Sequence, residues 1–568
     1  MKHWSRWPTV VILVSALVGA AVLDRDPPEN DETLVVEPLE LQPLAVGDQA
    51  LGATWYCAGG SGVPGGPADH VVVISNPAQA EVQAIVAGFG SDGESGQVEL
   101  SVAAGSTQRI RVGDVVEAEW VAALVESASG DLVVHHEISG PQGRAASPCA
   151  SAPSRTWFGA AGATTRDARY LLALFNPFPD RATVEVSFQT DEGVRAPTEL
   201  ERLVVAGRSV KIIEVDQIVT RREQLSTIVD VRAGRVVVDR IQVRTGELGR
   251  TGLSLALAAP AASEQWFIPG GLVSTAQQEQ LVVYNPGENR AEIDIDILVD
   301  DSVPGAVAPL EVTVPSGRFE VVDVTEELAR VGLEPPVGHT TAVRSVNGQG
   351  VVVDRVLFGA EESMALGVPL AATELVVPLL GSPADPAETT PEGVTTTVST
   401  TTTAPTTTTT TTTTVASGST TTAPVDSTTT TTVASGSTTT APVDSTTTTT
   451  IVTTTTSPPP VTTTVVAGPV RSTGSSRQLS VYNPGSVPAT VVVTGWFDGS
   501  AVPVATDAVV GAASYQWFAI EDLPPGAFLV ITADAPIAAE WVVRTTTELV
   551  TVSAVATLMS VGGSILVG

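Results

Sequence analysis

The chain has few of the residues that build reactive centres. Its 568 residues include two cysteines, five histidines and three methionines. Two cysteines and scattered histidines are too few to supply the ligand set of a metal site. No G-x-S-x-G, H-E-x-x-H or other nucleophile–base motif occurs. We therefore expect no enzyme activity, no metal and no other cofactor.

Basic residues are also scarce. Lysine and arginine number 29 against 62 aspartates and glutamates, which gives a formal net charge of −33. A strongly acidic surface disfavours nucleic acid and anionic lipid as partners. We expect no nucleic-acid partner, and membrane contact only through the N-terminal segment.

An Asn-Pro step between two apolar runs recurs along the chain, at Asn76-Pro77, Asn176-Pro177, Asn285-Pro286 and Asn483-Pro484. Proline cannot donate to a strand ladder and Asn-Pro favours a turn, so each copy predicts a strand, a turn and a second strand, interpreted as a hairpin. Asn76, Asn176 and Asn285 are 100 and 109 residues apart. That interval is the size of an immunoglobulin-like sandwich, and a closed barrel is the alternative.

These repeats predict an all-β chain of tandem immunoglobulin-like β-sandwiches, three plus one, with a disordered Thr-rich linker before the last. We expect the fourth repeat to fold by itself. The predicted segments are a signal peptide or signal anchor (1–25), an acidic, Pro-rich spacer (26–50), sandwich repeats (51–152, 153–262 and 263–380), a Thr/Pro/Ser-rich stalk (381–468) and a fourth repeat (469–568).

The N-terminus has the pattern of an export signal. Lys2, His3 and Arg6 precede an apolar stretch from Thr9 to Leu23. This stretch is near the upper limit of a signal-peptide core and short for a spanning helix, so a cleaved signal and a signal anchor both remain open. Either places the rest of the chain outside the cytoplasm, secreted or held at the cell surface.

The cysteines lie near the two ends of the first repeat, at Cys57 and Cys149. In an oxidising compartment we expect a disulfide, with two buried free thiols as the alternative. Closing this loop would stabilise the repeat by roughly 4–5 kcal/mol in the chain-entropy model.

The stalk is about half threonine, and the unit VASGSTTTAPVDSTTTTT begins at Val415 and again at Val433. Such a composition buries too little apolar surface to fold and is typical of O-glycosylated stalks in exported proteins.

Two polar patterns are candidate sites. The adjacent pair His135-His136 corresponds to Asp239-Arg240 and Asp354-Arg355 in the next repeats. Neighbours on a strand face opposite sides, which predicts a strand-edge or interdomain contact and not a shared metal. In the second pattern, acids alternate with isoleucines, which predicts a half-buried strand with an acidic face; a Ca²⁺ site is the alternative. These acids are Glu292, Asp294 and Asp296, with Asp300 and Asp301 beyond them.

Three repeats begin with an aromatic pair: Trp55-Tyr56, Trp157-Phe158 and Trp266-Phe267. Tryptophan in a sandwich core is the commoner role, and an exposed sugar-binding platform is the alternative.

The segments TWYCAGG, VVVISNP, RTWF and EQWFIPGG together resemble an uncharacterised family of exported actinobacterial proteins, a domain of unknown function with a Trp-Tyr-Cys start and repeated Asn-Pro hairpins. The resemblance covers Ala53 to Pro378 and implies no known activity.

We therefore expect an exported cell-envelope scaffold or adhesion-type protein without catalytic activity, whose partner is a cell-wall polysaccharide or another envelope protein. The main alternative is a carbohydrate- or wall-polymer-binding module that uses exposed aromatics. A weaker alternative is an enzyme with a shallow carboxylate site.

Overall fold

The computed structural model describes residues 41–46, 50, 52–299, 307–359, 361–379, 397–398, 413–414, 475–520, 523–524, 526–545, 549–555 and 557–560. Strands dominate these residues and the helices are short, so the prediction of an all-β chain is confirmed. The predicted signal segment and almost all of the Thr-rich stalk lie outside the described residues. No helix in the described ranges is long and apolar enough to cross a membrane.

The first repeat follows a short strand β1 (Leu44–Val46) and contains eight strands in two layers. The strands are β2 (Ala53–Ser61), β3 (Asp69–Ser75), β4 (Val82–Gly90), β5 (Ser95–Val102), β6 (Thr107–Arg111), β7 (Trp120–Ser127), β8 (Val133–Gly140) and β9 (Gly143–Pro148). One layer has the order β5-β4-β7-β2; in the other, β3 lies between β6 and β8, and β9 follows β8. The layers meet at one corner, where Ser61 pairs with Asp69.

The second repeat has the same two layers. Its elements are β10 (Thr156–Gly159), β11 (Ala168–Asn176), β12 (Ala182–Thr190), β13 (Gly193–Arg195), β14 (Leu203–Val205), β15 (Ser209–Glu214), helix α1 (Val215–Ile218), β16 (Leu225–Ala233), β17 (Val237–Thr245) and β18 (Thr251–Leu257). One sheet has the order β10-β16-β12 with β13 and β14 on its edge, and the other has the order β15-β11-β17-β18.

The third repeat continues the pattern. Its elements are β19 (Gln265–Val273), β20 (Gln278–Tyr284), β21 (Ala291–Val299), β22 (Leu310–Val314), β23 (Phe319–Asp323), helix α2 (Val324–Arg330), β24 (Val337–Ser345), β25 (Val352–Phe358) and β26 (Ser363–Leu366). Its sheets are β19-β24-β21-β22 and β23-β20-β25-β26. Alternate side chains of a strand such as β21 are buried, as expected for a sheet packed on one face.

The fourth unit begins before the Thr-rich segment. Its strands are β27 (Ala372–Pro378), β30 (Ser475–Asn483), β31 (Ala489–Phe497), β32 (Ser500–Val510), β33 (Ser514–Ala519), β34 (Phe528–Thr545), β35 (Leu549–Val555) and β36 (Thr557–Ser560); β28 (Thr397–Val398) and β29 (Thr413–Thr414) pair within the Thr-rich segment. The first half of β34 pairs with β27 and β31, and its second half pairs with β30 and β35.

The assignment of strand β27 to the fourth unit differs from the sequence-based prediction, which placed these residues in the third repeat (263–380) and began the fourth repeat at 469. Strand β27 pairs with β34 as β19 pairs with β24 in the third repeat. Residues 469–568 therefore lack one strand of their own sheet, which contradicts the expectation that they fold alone. The strand was missed because Leu375 stands where the earlier repeats have tryptophan.

The Asn-Pro steps are not hairpins, and this part of the prediction is wrong. In the first repeat β3 pairs with β6 and β8, whereas β4 pairs with β5 and β7. The step therefore carries the chain from one layer to the other, and the same holds in the second and third repeats. The physical reason lies in the asparagine side chain, which bonds to a carbonyl at the end of a strand in the opposite layer.

The four units form a closed cycle of contacts. Phe89 packs on Phe175 between the first and second repeats. Between the second and third repeats, the ring centroids of Phe158 and Tyr284 are 6.5 Å apart. Phe267 and Tyr482 join the third and fourth, with ring centroids 5.6 Å apart. The fourth returns to the first, where the Gly499 amide donates to the Gly105 carbonyl at 3.1 Å and Val376 and Phe528 enter the core of the first repeat.

Candidate functional site

The four asparagines of the Asn-Pro steps form one repeated structure. Each Nδ2 donates to the carbonyl oxygen four residues later, at 2.7–2.8 Å. It also donates to a carbonyl 26 to 29 residues later, and Oδ1 accepts the amide two residues on. All four side chains are buried. Asn76, Asn176, Asn285 and Asn483, with the prolines that follow them (Pro77, Pro177, Pro286 and Pro484), are therefore placed to hold the two layers together and not to meet a ligand.

The two cysteines are joined in the first repeat. Cys57 in β2 is bonded to Cys149, which follows β9, and both residues are buried. The bond ties the first strand of the repeat to the residue after its last strand, as predicted.

The junction between the first two repeats contains a buried carboxyl group. Asp239 Oδ2 accepts the amides of Ala58 and Gly59 at 2.8 and 3.1 Å, and lies 3.4 Å from His136 Nε2. Burial raises the pKa of Asp239 to about 7, although the two amides act in the opposite direction. Burial also lowers the pKa of His136 well below its ordinary value, and the neighbouring histidines add to this effect.

The next junction is a buried ion pair. Arg240 of the second repeat binds Asp354 of the third through two contacts, at 2.6 and 2.8 Å, and neither side chain is exposed. The Ala161 amide donates to the same carboxylate at 2.7 Å. Two parallel bonds of this kind fix orientation as well as distance.

The third junction repeats the arrangement. Arg355 binds both oxygens of Glu540, a residue of the fourth unit, and the Gly270 amide donates to Glu540 Oε2 at 3.1 Å. In every case the acid comes from the later unit, and both the cation or histidine and the donating amide come from the earlier one.

Of the two predicted roles of the polar pairs, a strand edge or an interdomain contact, the structure shows the interdomain contact. Because Asp239 and Arg240 are neighbours on β17, one faces the first repeat and the other faces the third. Glu540 was missed because the fourth unit reads Ala539-Glu540-Trp541, which does not match the Asp-Arg pattern. Its register opposite Ser480 identifies it as the equivalent of Asp354, which lies opposite Val282.

A groove of about 450 Å³ with both polar and apolar walls lies between the second and third repeats. Its walls include four glutamines, two arginines, two glutamates and one phenylalanine: Gln224, Gln242, Gln278, Gln280, Arg244, Arg250, Glu223, Glu362 and Phe358. Sequence reasoning did not find it, because these residues come from several strands and follow no local spacing.

Three of the four charged side chains of the groove, Arg244, Arg250 and Glu362, are paired with one another, and the fourth, Glu223, is exposed. Arg244 Nε lies 2.6 Å from Glu362 Oε1, and Arg250 Nη1 lies 3.5 Å from Glu362 Oε2. The guanidinium of Arg250 is 5.9 Å from the centroid of the Phe358 ring. Burial raises the pKa of Glu362, while the two arginines act to lower it.

The acidic strand β21 has the predicted half-buried pattern. Its isoleucines are buried, whereas Glu292, Asp294 and Asp296 are partly exposed. Arg290 Nη2 lies 2.7 Å from Glu292 Oε1, and Arg344 Nη2 lies 3.8 Å from Asp296 Oδ2. Asp300 and Asp301 are outside the described residues, and the described ranges hold no group of three or more potential ligands placed for a metal.

The aromatic pairs are arranged as core and contact residues. Trp55, Trp157 and Trp266 are at most 1% exposed. Trp157 and Trp266 donate to carbonyl oxygens at 2.9 and 2.8 Å. The second rings, Tyr56, Phe158 and Phe267, are at least half-buried against the hydrophobic clusters. The pairs thus provide no exposed platform.

The chain belongs to a family of unknown function (DUF5719), whose model matches residues 127–451. An uncharacterised family is thus confirmed, although the match begins after the Trp-Tyr-Cys motif and extends into the Thr-rich segment. No curated protein matches the chain.

Two solved structures share limited similarity. The crystal structure of Thermotoga maritima 1070 is 17% identical, with a TM-score of 0.16, over 19% of this chain and 94% of that one. The Anabaena sensory rhodopsin transducer is 20% identical, with a TM-score of 0.15, over 17% of this chain and 88% of that one. At these TM-scores neither likeness supports an inference about this chain.

Proposed function

We propose that this protein is an exported, non-catalytic scaffold of the cell envelope, in which a rigid block of immunoglobulin-like sandwiches presents a glycosylated Thr-rich loop. The observation that carries the proposal is the pairing of β27 with β34. Strands before and after the Thr-rich segment belong to one sheet system, so the segment is an insertion within the fourth unit. In this arrangement it is a loop held at both ends, and not a stalk to a distant domain.

The insertion is thermodynamically tolerable. The connection from β2 to β3 in the first repeat is residues 62–68, whereas that from β27 to β30 is residues 379–474. Loop-closure entropy grows only with the logarithm of loop length, so this extension costs about 2 kcal/mol. The buried contacts of β27, including Leu375 and Val377 at 0–1% exposure, offset a cost of this size.

The buried junctions support a rigid block. A buried carboxylate bonded by both a guanidinium and an amide has one favourable geometry, so adjacent units cannot rotate freely while the pair is kept. Fixed spacing between units suits a scaffold that contacts a wall polysaccharide or another envelope protein. The alternative, a carbohydrate-binding module that uses exposed aromatics, has less support because the three tryptophans are buried.

The location is tested in the native host. Cell fractionation should recover the protein in the envelope or the medium, and the mass of the intact chain should exceed the polypeptide mass by multiples of a hexose. A bare mass in a cytosolic fraction would overturn both the export and the glycosylation.

A further inference from the structure

The groove between the second and third repeats has the size and place of a ligand site. Its volume of about 450 Å³ is within the range of about 300–1,000 Å³ typical of ligand pockets, which often lie between domains. It lies beside the buried Arg240–Asp354 junction, and Gln242 lies two residues after Arg240 on β17. The junction therefore fixes the distance between the two walls.

Two of the four glutamines are already used to build the wall. Gln242 Oε1 accepts the Ala163 amide at 2.9 Å, and its Nε2 donates to the Arg169 carbonyl at 2.9 Å. Gln224 Nε2 donates to the Ala160 carbonyl at 2.8 Å. These bonds give the second-repeat side of the groove a fixed shape.

The other two glutamines face the groove from the third repeat. Gln278 and Gln280 are two apart on β20, so they share one face of the strand. The antiparallel register places Gln278 opposite Phe358 and Gln280 opposite Val356. The Gln278 amide, at an exposed position, carries two donors and an acceptor. Gln280 Nε2 donates to Asp323 Oδ2 at 3.3 Å, which leaves its second N–H and its Oε1 for a ligand. Each of the two residues has an apolar neighbour across the strand. Sugars present hydroxyl groups at their edges and C–H groups on their faces, which matches this alternation.

The charges of the groove favour a neutral ligand. Arg244 and Arg250 both lie against Glu362, so an anion could bind them only in competition with a buried carboxylate. A cation would meet the same two arginines, and the remaining acid of the groove, Glu223, is exposed to water, where a single charge attracts a cation only weakly. A neutral polyhydroxylated molecule can bond the free edges of these groups without separating them.

We propose that this groove binds a neutral oligosaccharide through Gln278 and Gln280. The proposal does not depend on the scaffold or on export, because it concerns a surface between two folded repeats. It also differs from a platform of exposed rings, since amides and one half-buried phenylalanine carry the recognition.

The test is calorimetric titration of the purified full chain with chitotetraose, cellotetraose and maltotetraose, with a heparin tetrasaccharide as the anionic probe. We expect at least one neutral tetrasaccharide to bind and the anionic probe not to bind. Loss of two hydrogen bonds in Gln278→Ala/Gln280→Ala should weaken that binding by roughly tenfold or more. The matched control is Gln83→Ala, which should leave the affinity unchanged because Gln83 is an exposed glutamine of the first repeat that donates to Glu81 and does not line the groove.

A thermal melt of each variant checks that the third repeat remains folded, and Gln278→Lys gives a second variant at an exposed position. No binding of any neutral probe up to about 10 mM, which is weaker than useful recognition, would overturn the proposal. Binding that is unaffected in both groove variants would also overturn it, as would binding of the heparin probe alone.

Discussion

The junction between Arg240 and Asp354 predicts a large and specific loss of stability when one partner is removed. Replacing Arg240 by methionine keeps most of the side-chain volume but leaves Asp354 buried with an amide and no counter-charge. Breaking a fully buried pair in this way costs about 3–5 kcal/mol. If the second and third repeats unfold together, their melting temperature should fall by about 6–20 °C.

The double variant Arg240→Met/Asp354→Leu separates the energy of the ion pair from the cost of leaving one charge buried and unpaired. Two apolar side chains of similar size remove the unpaired charge, so we expect the double variant to regain most or all of the stability lost in the single variant. The matched control is Arg232→Met, which removes an exposed arginine that binds Glu185 on the same repeat. That variant should melt close to the parent, because exposed pairs contribute little.

The assay is calorimetry combined with amide hydrogen exchange read by mass spectrometry. A chain of several units need not unfold in one step, so exchange in β17 and β25 locates the change where a single melting temperature would not. The reasoning is refuted if Arg240→Met melts like the exposed control, or if the double variant loses as much as the sum of the two single variants.

Three further predictions concern other parts of the chain. A protease site placed within residues 379–474 should be cut without separating the two fragments on a native sizing column, because β27 and β34 remain paired; separation would refute the insertion. Replacing Cys57 and Cys149 by serine should destabilise the first repeat by roughly 4–5 kcal/mol by loss of the loop constraint, measured by chemical unfolding, and an unchanged midpoint would contradict this estimate. The pKa of Asp239 is raised, so its contribution to the free energy of unfolding is complete in acid and is lost as the pH rises toward 7. The melting temperature of Asp239→Asn should therefore lie furthest below that of the parent at pH 4 and nearest to it at pH 7. The opposite dependence on pH would refute this.

The sequence predicted much of what depends on local pattern. The buried tryptophans followed from alternation along a strand, and the contact role of the Asp239-Arg240 pair followed from its position in the repeat. The disulfide followed from the two cysteines at the ends of the first repeat. The layer that each strand joins could not be read in this way. Asn176, for example, bonds to the Val205 carbonyl at 3.2 Å, a partner 29 residues away in the other layer, and the strand pairing that puts β11 and β12 in different layers is equally non-local.

The groove and strand β27 escaped for a related reason. Gln242 and Gln278 belong to different repeats and line one groove because their repeats pack together beside the Arg240–Asp354 pair. Leu375 takes the place of tryptophan in β27, and its pairing with Ile531 lies across the Thr-rich insertion. Contacts of this range leave no periodic signal in the chain.

The closed cycle of contacts explains why the fourth unit is not a detachable domain. Its acid, Glu540, is held by Arg355 of the third repeat, and its Val376 and Phe528 are buried with residues of the first. Removing residues 475–560 would therefore expose one face of β27, one side of the first repeat and the unpaired Arg355 together. Because the fourth unit packs on both the third and the first repeat, its removal should destabilise both of these neighbours. The Thr-rich insertion therefore interrupts the sequence of the fourth unit but not its packing against the other repeats.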